Sequence, residues 1–176
     1  MKAAYAGVPG AFGHEACLAF LPEHEPVAIA GFGEVVTALL AGQVNCGILP
    51  LENNAAGAVQ EVQALLATQP IEIVSEHVLP VRMHLMALPG SDFTQIHTIV
   101  SHPVALKQCA RTLARLELGT EEAPNTAIAA RDLDQPSKAV LASEAAAEAY
   151  GLTILLRDVQ DREDNATRFA IIARRG

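Results

Sequence analysis

Apolar and polar positions along the chain fall into blocks that predict strands and helices in alternation. In the first part, short apolar runs typical of strands cover 3–6, 27–30 and 47–50, and stretches with helical spacing cover 14–21, 32–41 and 58–68. Strands that alternate with helices across short connections are typical of a parallel sheet with helices packed on its faces. The pattern therefore predicts the α/β fold class.

A long extended stretch divides this alternation in two. Residues 72–88 are largely apolar and are broken by Pro80, which suits a crossover into a second lobe. Beyond it the alternation resumes, with strands at 98–100, 139–142 and 169–173 and helices at 103–116, 127–132 and 144–150. We expect two α/β lobes, at about 1–78 and about 79–166, with a final strand at 167–175 near the hinge whose lobe is left open.

The composition is that of a folded globular protein. The chain has 176 residues, of which 51% are apolar, and no Trp. No apolar run reaches the roughly 18 residues of a membrane span. Gly7, Pro9, His14 and Glu15 interrupt the first apolar stretch too early for an export signal. We therefore expect a cytoplasmic protein.

The Cys and His residues do not form a metal-binding pattern. Cys17, Cys46 and Cys109 are widely spaced and include no CxxC pair, so neither a disulfide framework nor a zinc site is supported, and buried reduced thiols are expected. The histidines at 24, 77, 84 and 97 show no shared spacing. We expect no metal site.

The charge is negative and unevenly distributed. A formal charge of −8 argues against nucleic acid and anionic membranes as partners, since both attract basic patches. Between Lys2 and Arg82 there is no Lys or Arg, whereas Glu is frequent there. An anion bound between the two lobes must therefore draw its cationic partners from the second lobe, or use backbone N–H groups of the first.

Unusual segments lie where predicted strands end and helices begin, which is where ligands of open α/β sheets gather. The glycine-rich turn at 7–14, which includes Gly13, permits close approach of a ligand, but it lacks the GxGxxG spacing and is equally consistent with a structural turn. Glu52, Asn53 and Asn54 follow a buried strand, where unpaired polar groups are costly. This placement favours a binding role, with an Asn cap and a glycine turn as the alternative.

Two further junctions, at 101–103 and 125–127, carry helix-capping residues. Pro103 suits the first position of a helix, so Ser101 or His102 is expected to cap that helix, and Asn125 is expected to cap the next. If these N-termini point into one cleft with those of the first lobe, their partial positive charges form an anion site without a lysine.

A hydroxyl and a guanidinium stand side by side at the start of the last apolar run, in Thr167 and Arg168. A guanidinium can hold a carboxylate bidentately, and a hydroxyl can donate a hydrogen bond to a departing oxygen. The pair can therefore hold a small anion and assist a leaving group. A polar loop that enters a strand is the other interpretation of the segment at 165–169.

Taken in order, these segments resemble the motifs of the prephenate dehydratase family. The residues that carry the resemblance lie within 7–14, 47–53, 101–109, 142–152 and 165–169, and they span nearly the whole chain. The resemblance implies two α/β lobes similar to type II periplasmic binding proteins. It also implies an active site in the cleft between the lobes.

The resemblance implies a reaction as well. Prephenate loses carbon dioxide and its ring hydroxyl as water to give phenylpyruvate, and no cofactor is needed because aromatisation drives the step. Thr167 would be the catalytic donor to the leaving oxygen, and Arg168 would bind a carboxylate. Independently of the resemblance, Glu52 could act as an acid if desolvated, but beside two asparagines it is expected rather to organise its loop. Phe169 is expected to pack rather than react. The match also implies that Phe169 contacts the substrate. The other substrate-binding residues that it implies are Gly13, Asn53, Asn54, Ser101, His102, Thr126 and Ala127.

The chain departs from the family pattern at a few of these positions. Asn54 stands where Ser or Thr is common, Val104 where Gln is usual, and Asn125 where Ser usually precedes Thr126. These changes bear on carboxylate recognition, so the choice between prephenate and arogenate stays open.

Other activities remain to be weighed beside dehydration of prephenate. They are an arogenate dehydratase, a non-aromatising prephenate decarboxylase, which has less use for Thr167, and a small-anion binding module without catalysis. The resemblance also implies a homo-oligomer, a dimer or a tetramer. Many relatives carry a C-terminal ACT domain that binds phenylalanine, and none is expected here, since the sequence ends at Gly176 shortly after the final strand.

Overall fold

The computed structural model describes all residues from Met1 to Gly176 and divides into two compact units. Unit 1 comprises Met1–Val8, Phe12–Pro80 and Ala166–Gly176, and unit 2 comprises Pro9–Ala11 and Val81–Asn165. The main change of unit therefore falls at Pro80, and the final strand belongs to unit 1. Both units combine a sheet with helices, so the expected α/β class is confirmed.

The elements follow one another in the order that the hydrophobic pattern predicts, with a few additions. Up to Pro80 they are β1 (Lys2–Ala6), α1 (Phe12–Phe20), β2 (Glu25–Ile29), α2 (Phe32–Leu40), β3 (Cys46–Asn53), β4 (Gly57–Ala58), α3 (Gln60–Thr68) and β5 (Ile71–Pro80). The later ones are β6 (His84–Ala87), β7 (Thr98–Ser101), α4 (Pro103–Gln108), α5 (Ala110–Leu116), β8 (Gly119–Glu122), α6 (Thr126–Arg131), β9 (Lys138–Ala142), α7 (Glu144–Tyr150), β10 (Thr153–Leu156) and β11 (Ala166–Arg174). None of the helices combines the length and apolarity needed to cross a membrane.

The sheet of unit 1 has the order β2-β1-β3-β11-β5, with the short β4 paired to β3. β1 is parallel to β2 and β3, but β11 is antiparallel to both β3 and β5. The parallel arrangement expected from the first alternation of strands and helices is confirmed for β1, β2 and β3, and β11, whose lobe was left open, adds antiparallel pairing. β11 follows unit 2 rather than a β-α-β crossover, so no crossover helix sets its direction.

The core of unit 1 lies on both faces of this sheet, which is why β3 reads as a continuous apolar run. On one face Leu49 and Ile172 pack with Leu39 of α2, whose apolar residues recur at helical spacing. On the other face Ile48 and Phe169 pack with Tyr5 and with α1. Helices on two faces hold the central strands in place.

The sheet of unit 2 has the order β10-β6-β9-β7-β8 and is also mixed. β7 is parallel to β8 and β9, whereas β6 is antiparallel to β9 and β10. The pattern missed β8 because all of its residues, Gly119–Glu122, are exposed and none is a large apolar residue. It also missed β10, β4 and a single 3-10 turn at Phe93–Gln95.

The single helix expected over 103–116 is two helices, because the backbone leaves the helical conformation at Cys109, with φ −114° and ψ 16°. The Asp161 carboxylate lies at the start of the second helix, 3.0 Å from the Arg111 amide that donates to it. A carboxylate at this place satisfies a helix N–H that has no partner within the helix. The partner lies far along the chain, so local spacing gave no sign of it.

The short segment Pro9–Ala11 is fastened to α7 within unit 2. Ser143 Oγ donates to the Gly10 carbonyl at 2.6 Å, and Tyr150 Oη donates to the Pro9 carbonyl at 2.7 Å. Gly10 has φ +85°, and a Cβ there would lie 2.5 Å from Ala146 Cα. Position 10 therefore requires glycine both for its left-handed conformation and for the close approach.

The three cysteines are free and buried, which confirms the expectation of buried thiols. Burial raises the pKa of Cys17 to about 12, with a further contribution from nearby Cys46. Burial, with a smaller contribution from Asp161, raises the pKa of Cys109 to about 12 as well. Because the thiolate is the nucleophile, these thiols are inert near neutral pH.

We expect Gly10→Ala to lower the free energy of unfolding by about 2 kcal/mol more than Gly90→Ala does. Gly90 shares the left-handed conformation, with φ +80°, but no atom lies within 4 Å of the position that a Cβ would take there, so it isolates the backbone strain. Urea denaturation followed by circular dichroism gives both values. Equal losses in the two variants would show that the contact with Ala146 does not matter.

We also expect the native protein to resist a thiol reagent such as dipyridyl disulfide at pH 8. A pKa of about 12 in place of 9.0 lowers the thiolate fraction of Cys17 and Cys109 about a thousandfold. The absorbance of the released thiopyridone should stay low for the folded protein and rise to the value for three thiols in urea. Rapid labelling of Cys17 or Cys109 in the folded state would contradict their burial.

Candidate active site

Thr167 lies near the start of β11, directly opposite Asn53 of β3. Its side chain is buried, and Asn53 Nδ2 donates hydrogen bonds to Thr167 Oγ1 and to the Ala166 carbonyl, both at 3.0 Å. A hydroxyl that accepts from an amide keeps its own proton for another acceptor, and no residue of the chain takes that proton. Thr167 is therefore arranged as a hydrogen-bond donor.

The Asn53 amide is held in the orientation that this contact needs. Its Oδ1 accepts from the backbone N–H groups of Ala55 and Ala56, both at 2.9 Å, as in an Asx turn. These bonds assign the oxygen to the loop and leave the nitrogen facing β11. The turn after β3 therefore positions Asn53, and Asn53 in turn orients the hydroxyl.

Asn54 fastens the same loop to the start of β11. Its Oδ1 accepts from the Ala166 amide at 3.0 Å, and its own amide donates to the Ala166 carbonyl at 3.1 Å. The backbone next to Thr167 is thus held on both its donor and its acceptor side. Asn54 therefore fixes the backbone that carries Thr167.

Arg168 lies opposite Glu52 of β3, just before a bulge in the pairing of β3 with β11. Its Nε and Nη2 are each 3.3 Å from Glu52 Oε1, and its Nη1 donates to Glu76 Oε2 on β5. The carboxylates of Glu76 and Glu52 raise the pKa of Arg168 further, so the guanidinium is charged at all working pH values. Glu52 thus pairs with Arg168 across the two strands, and its role as an acid or as an organiser of its loop stays a prediction.

Gly13 and Phe169 lie on the face of unit 1 that α1 covers. A Cβ at Gly13 would lie 3.3 Å from Tyr5 Cβ, and the ring of neighbouring His14 stacks on Tyr5 with centroids 5.2 Å apart. Phe169 is 2% exposed and packs in the core. The Phe169 side chain therefore packs in the core, and its contribution to substrate binding stays a prediction.

The candidate site residues in unit 2 make hydrogen bonds to backbone groups at the ends of strands and helices. Ser101 is fully buried and donates to the Leu141 carbonyl at 2.7 Å. His102 Nδ1 accepts from the Val104 amide at 3.2 Å, and Asn125 Oδ1 accepts from the Ala127 amide at 2.8 Å. The expected capping of α4 and α6 is therefore confirmed.

Thr126 and Ala127 form the first turn of α6 and are both buried, with 7% and 0% of their surface exposed. The carboxamide of Asn125 covers two N–H groups of that turn, those of Ala127 and Ile128. These two N–H groups are therefore satisfied within the chain.

Sequence reasoning missed two features next to the predicted residues. Buried Asn165 donates to Gln108 Oε1 at 3.2 Å, and its carbonyl accepts from the Val81 amide at 2.8 Å. Gln108 lies within a motif that carried the resemblance, which was the available signal. Glu76 lies in an extended stretch without a motif, so nothing in the sequence indicated its contact with Arg168.

Thr167 and Asn53 offer a donor hydroxyl and a fixed carboxamide on neighbouring strands, and these groups can hydrogen-bond a developing negative oxygen. Arg168, the next residue of β11, directs its guanidinium to the opposite face of the sheet, towards Glu52 and Glu76. No set of three or more His, Cys, Asp and Glu side chains is grouped in a way that could hold a metal ion.

Comparison with known sequences relates this chain to one enzyme family along nearly its whole length. A family model described as prephenate dehydratase matches residues 3–176. An arogenate dehydratase/prephenate dehydratase 2 of Arabidopsis thaliana is 37% identical over 99% of this chain and 46% of its own length. A prephenate dehydratase of Bacillus subtilis is 35% identical over 98% of this chain and 64% of its own length. The chain thus spans about half to two thirds of the length of these relatives.

Solved structures agree on the fold. A protein described as GqqA, a novel type of quorum quenching acylases, is 34% identical with a TM-score of 0.92 over 100% of this chain and 65% of its own. Prephenate dehydratase from Arthrobacter aurescens, solved with L-Phe, is 23% identical with a TM-score of 0.91, covering 100% of this chain and 61% of its own. The methionine-binding protein MetQ is 11% identical with a TM-score of 0.53, covering 99% and 82%. The last two support the expected architecture and nothing more specific.

Proposed function

This chain belongs to the prephenate dehydratase family, and we propose that it catalyses the decarboxylating dehydration of prephenate to phenylpyruvate, carbon dioxide and water, a step towards L-phenylalanine. The observation that carries the proposal is the hydrogen bond from Asn53 to Thr167, which leaves the Thr167 proton available as a donor. Family membership supports the reaction, and this geometry supports Thr167 as the hydrogen-bond donor in it.

In the proposed mechanism, Thr167 assists the departure of the ring hydroxyl. Loss of carbon dioxide pushes electrons into the ring, and negative charge develops on the oxygen that leaves from the opposite carbon. Threonine has too high a pKa to be an effective free acid, so a hydrogen bond that strengthens as charge develops is the better description. Asn53 holds the hydroxyl in the direction that this requires.

Arg168 is the proposed anchor for a substrate carboxylate. Lys and Arg are absent between Lys2 and Arg82, so within unit 1 the cations come from its two ends. Of these, Arg168 adjoins Thr167 in the chain, with its side chain on the other face of the sheet, and its role as an anchor stays a prediction. The residues Gly13, Asn54, Ser101, His102, Thr126 and Ala127 remain proposed contributors to binding or to the positions of the groups that bind, and Glu52 remains a proposed loop organiser.

Arogenate is the second candidate substrate. The Arabidopsis relative is named for both arogenate and prephenate, and the departures at Asn54, Val104 and Asn125 lie in segments expected to recognise the substrate. The proposal also includes a homo-oligomer and a cytoplasmic location, both of which stay predictions; the plant relative is named as chloroplastic.

The test of the function is incubation of the purified protein with prephenate near neutral pH, with phenylpyruvate followed by its absorbance in alkali. Arogenate serves as a parallel substrate, because the Arabidopsis relative is named for both dehydratase activities. Phenylpyruvate formation supports the proposal, and phenylalanine from arogenate alone would change the substrate. A non-aromatic decarboxylated product, or binding without turnover, would reject dehydration.

We expect Thr167→Ala to lower kcat about 100-fold to 1000-fold while KM changes less than threefold, because the contact strengthens only in the transition state. Thr167→Ser keeps the hydroxyl and is the matched control, with a loss of about tenfold or less. Steady-state kinetics on both variants measures the difference. A kcat of Thr167→Ala close to that of Thr167→Ser would remove the hydroxyl from the chemistry.

A further inference from the structure

His84 is a buried histidine that takes no part in the proposed chemistry. It is the first residue of β6, is 4% exposed and lies opposite Ala142 of β9. Its Nδ1 accepts a hydrogen bond from the Asp158 amide at 3.1 Å. A ring nitrogen can accept a hydrogen bond only while it carries no proton, so this contact requires the neutral imidazole.

The residues that follow β10, at 157–160, form a strap at the start of β6 and have no helix or strand structure of their own. Three hydrogen bonds hold the strap there: Asp158 N–H to His84, Val159 N–H to the Met83 carbonyl at 2.9 Å, and Met83 N–H to Gln160 Oε1 at 2.9 Å. The last two involve only backbone groups and a carboxamide, which do not titrate. Only the bond to His84 can therefore change with pH.

The backbone of Asp158 makes the strap easy to release at this bond. Its φ is +52°, in the left-handed region that residues other than glycine seldom adopt. Such a conformation costs free energy and persists where its surroundings hold it. The hydrogen bond to His84 supplies part of that restraint, so its loss leaves the turn free to relax.

The charges around His84 do not favour its protonation. The groups that face it are Arg157 and Asp158 of the strap, Glu144 of α7 and Arg82 before β6, and the flanking strands β9 and β10 add none to this set. Each carboxylate has a guanidinium partner, at 2.8 Å for Glu144 with Arg157 and at 3.9 Å for Asp158 with Arg82. Burial is the largest effect and lowers the pKa of His84 below its ordinary value of 6.5, against a smaller raising effect of the two carboxylates.

We propose that His84 is a pH-sensitive latch, whose neutral imidazole holds the strap 157–160 at the start of β6 and whose protonation releases it while the rest of unit 2 stays folded. The closed state takes up a proton on His84 less readily than the open state does, so the free energy that keeps the strap closed decreases as the pH falls. The latch is therefore closed above pH 6.5 and loosens below it. This inference does not depend on the proposed reaction.

Amide hydrogen exchange of the purified protein, resolved by NMR between about pH 5 and pH 8, tests the latch. Protection factors correct each rate for the intrinsic effect of pH. The protection factor of the Asp158 amide should fall below pH 6.5 by up to about tenfold per pH unit, which is the limit for uptake of one proton. The Leu141 amide of the buried strand β9 should stay at least about tenfold better protected than Asp158 at every pH, because the release is local.

Two substitutions of His84 separate the acceptor from its titration. His84→Asn places an oxygen at the same number of bonds from Cβ as Nδ1, so it can accept from Asp158 at every pH, and the protection factor of Asp158 should then vary less than about twofold with pH. His84→Phe keeps a buried ring but has no acceptor. Asp158 should therefore exchange about tenfold faster in His84→Phe than in the unsubstituted protein at about pH 8.

His97→Asn is the matched control, because it removes an exposed histidine of the same unit. It should keep the pH dependence of the unsubstituted protein. The latch would be overturned by a protection factor of Asp158 that falls with pH as steeply in His84→Asn as in the unsubstituted protein, or that does not fall in the unsubstituted protein. Equal protection of Asp158 and Leu141 at low pH would also overturn it, since the whole unit would then be unfolding. These comparisons need only the unsubstituted protein and His84→Asn, so they decide the matter even if His84→Phe does not fold.

Discussion

The pairing of β11 between β3 and β5 is the constraint on which the structure of unit 1 depends. β3 is buried on both faces and needs a hydrogen-bonding partner on each side, and β11 supplies one of them. The same ladder places Thr167 beside Asn53 and Arg168 beside Glu52. Since a slip of one residue would turn every side chain of β11 to the opposite face, the forces that pack the core also set the geometry of the candidate site.

The hydrophobic pattern predicted most elements because periodicity records which face of an element is buried. It could not give the direction of β11, since an apolar run such as 169–172 reads the same for parallel and antiparallel pairing. It could not give β8, whose residues bury nothing. Exposed strands of this kind are held by backbone hydrogen bonds to a neighbour, and those leave no trace in side-chain pattern.

The site was predictable where its residues are close in the chain and unpredictable where they meet across strands. Thr167 and Arg168 form a visible pair, and the resemblance supplied their roles. The partners that give them direction, Asn53 and Glu76, lie more than a hundred and about ninety residues away respectively. Several candidate substrate-binding residues also have a structural role: Ser101, His102 and Asn54 each hold a backbone group in place. Polar groups that are fixed in this way lose little freedom when a ligand arrives, so support and recognition are compatible uses of one side chain.

The interrupted course of unit 1 along the sequence has a consequence for how the protein is made. Its last strand, β11, is synthesised after the whole stretch from Val81 to Asn165, so β3 and β5 emerge from the ribosome without the strand that joins them. Unit 2 is nearly continuous in sequence and can complete its own sheet first. During translation the nascent chain therefore exposes the unpaired backbone edges of β3 and β5 in unit 1 until β11 is released. In that interval they are open to pairing with other chains, and the rate of synthesis through unit 2 sets how long it lasts.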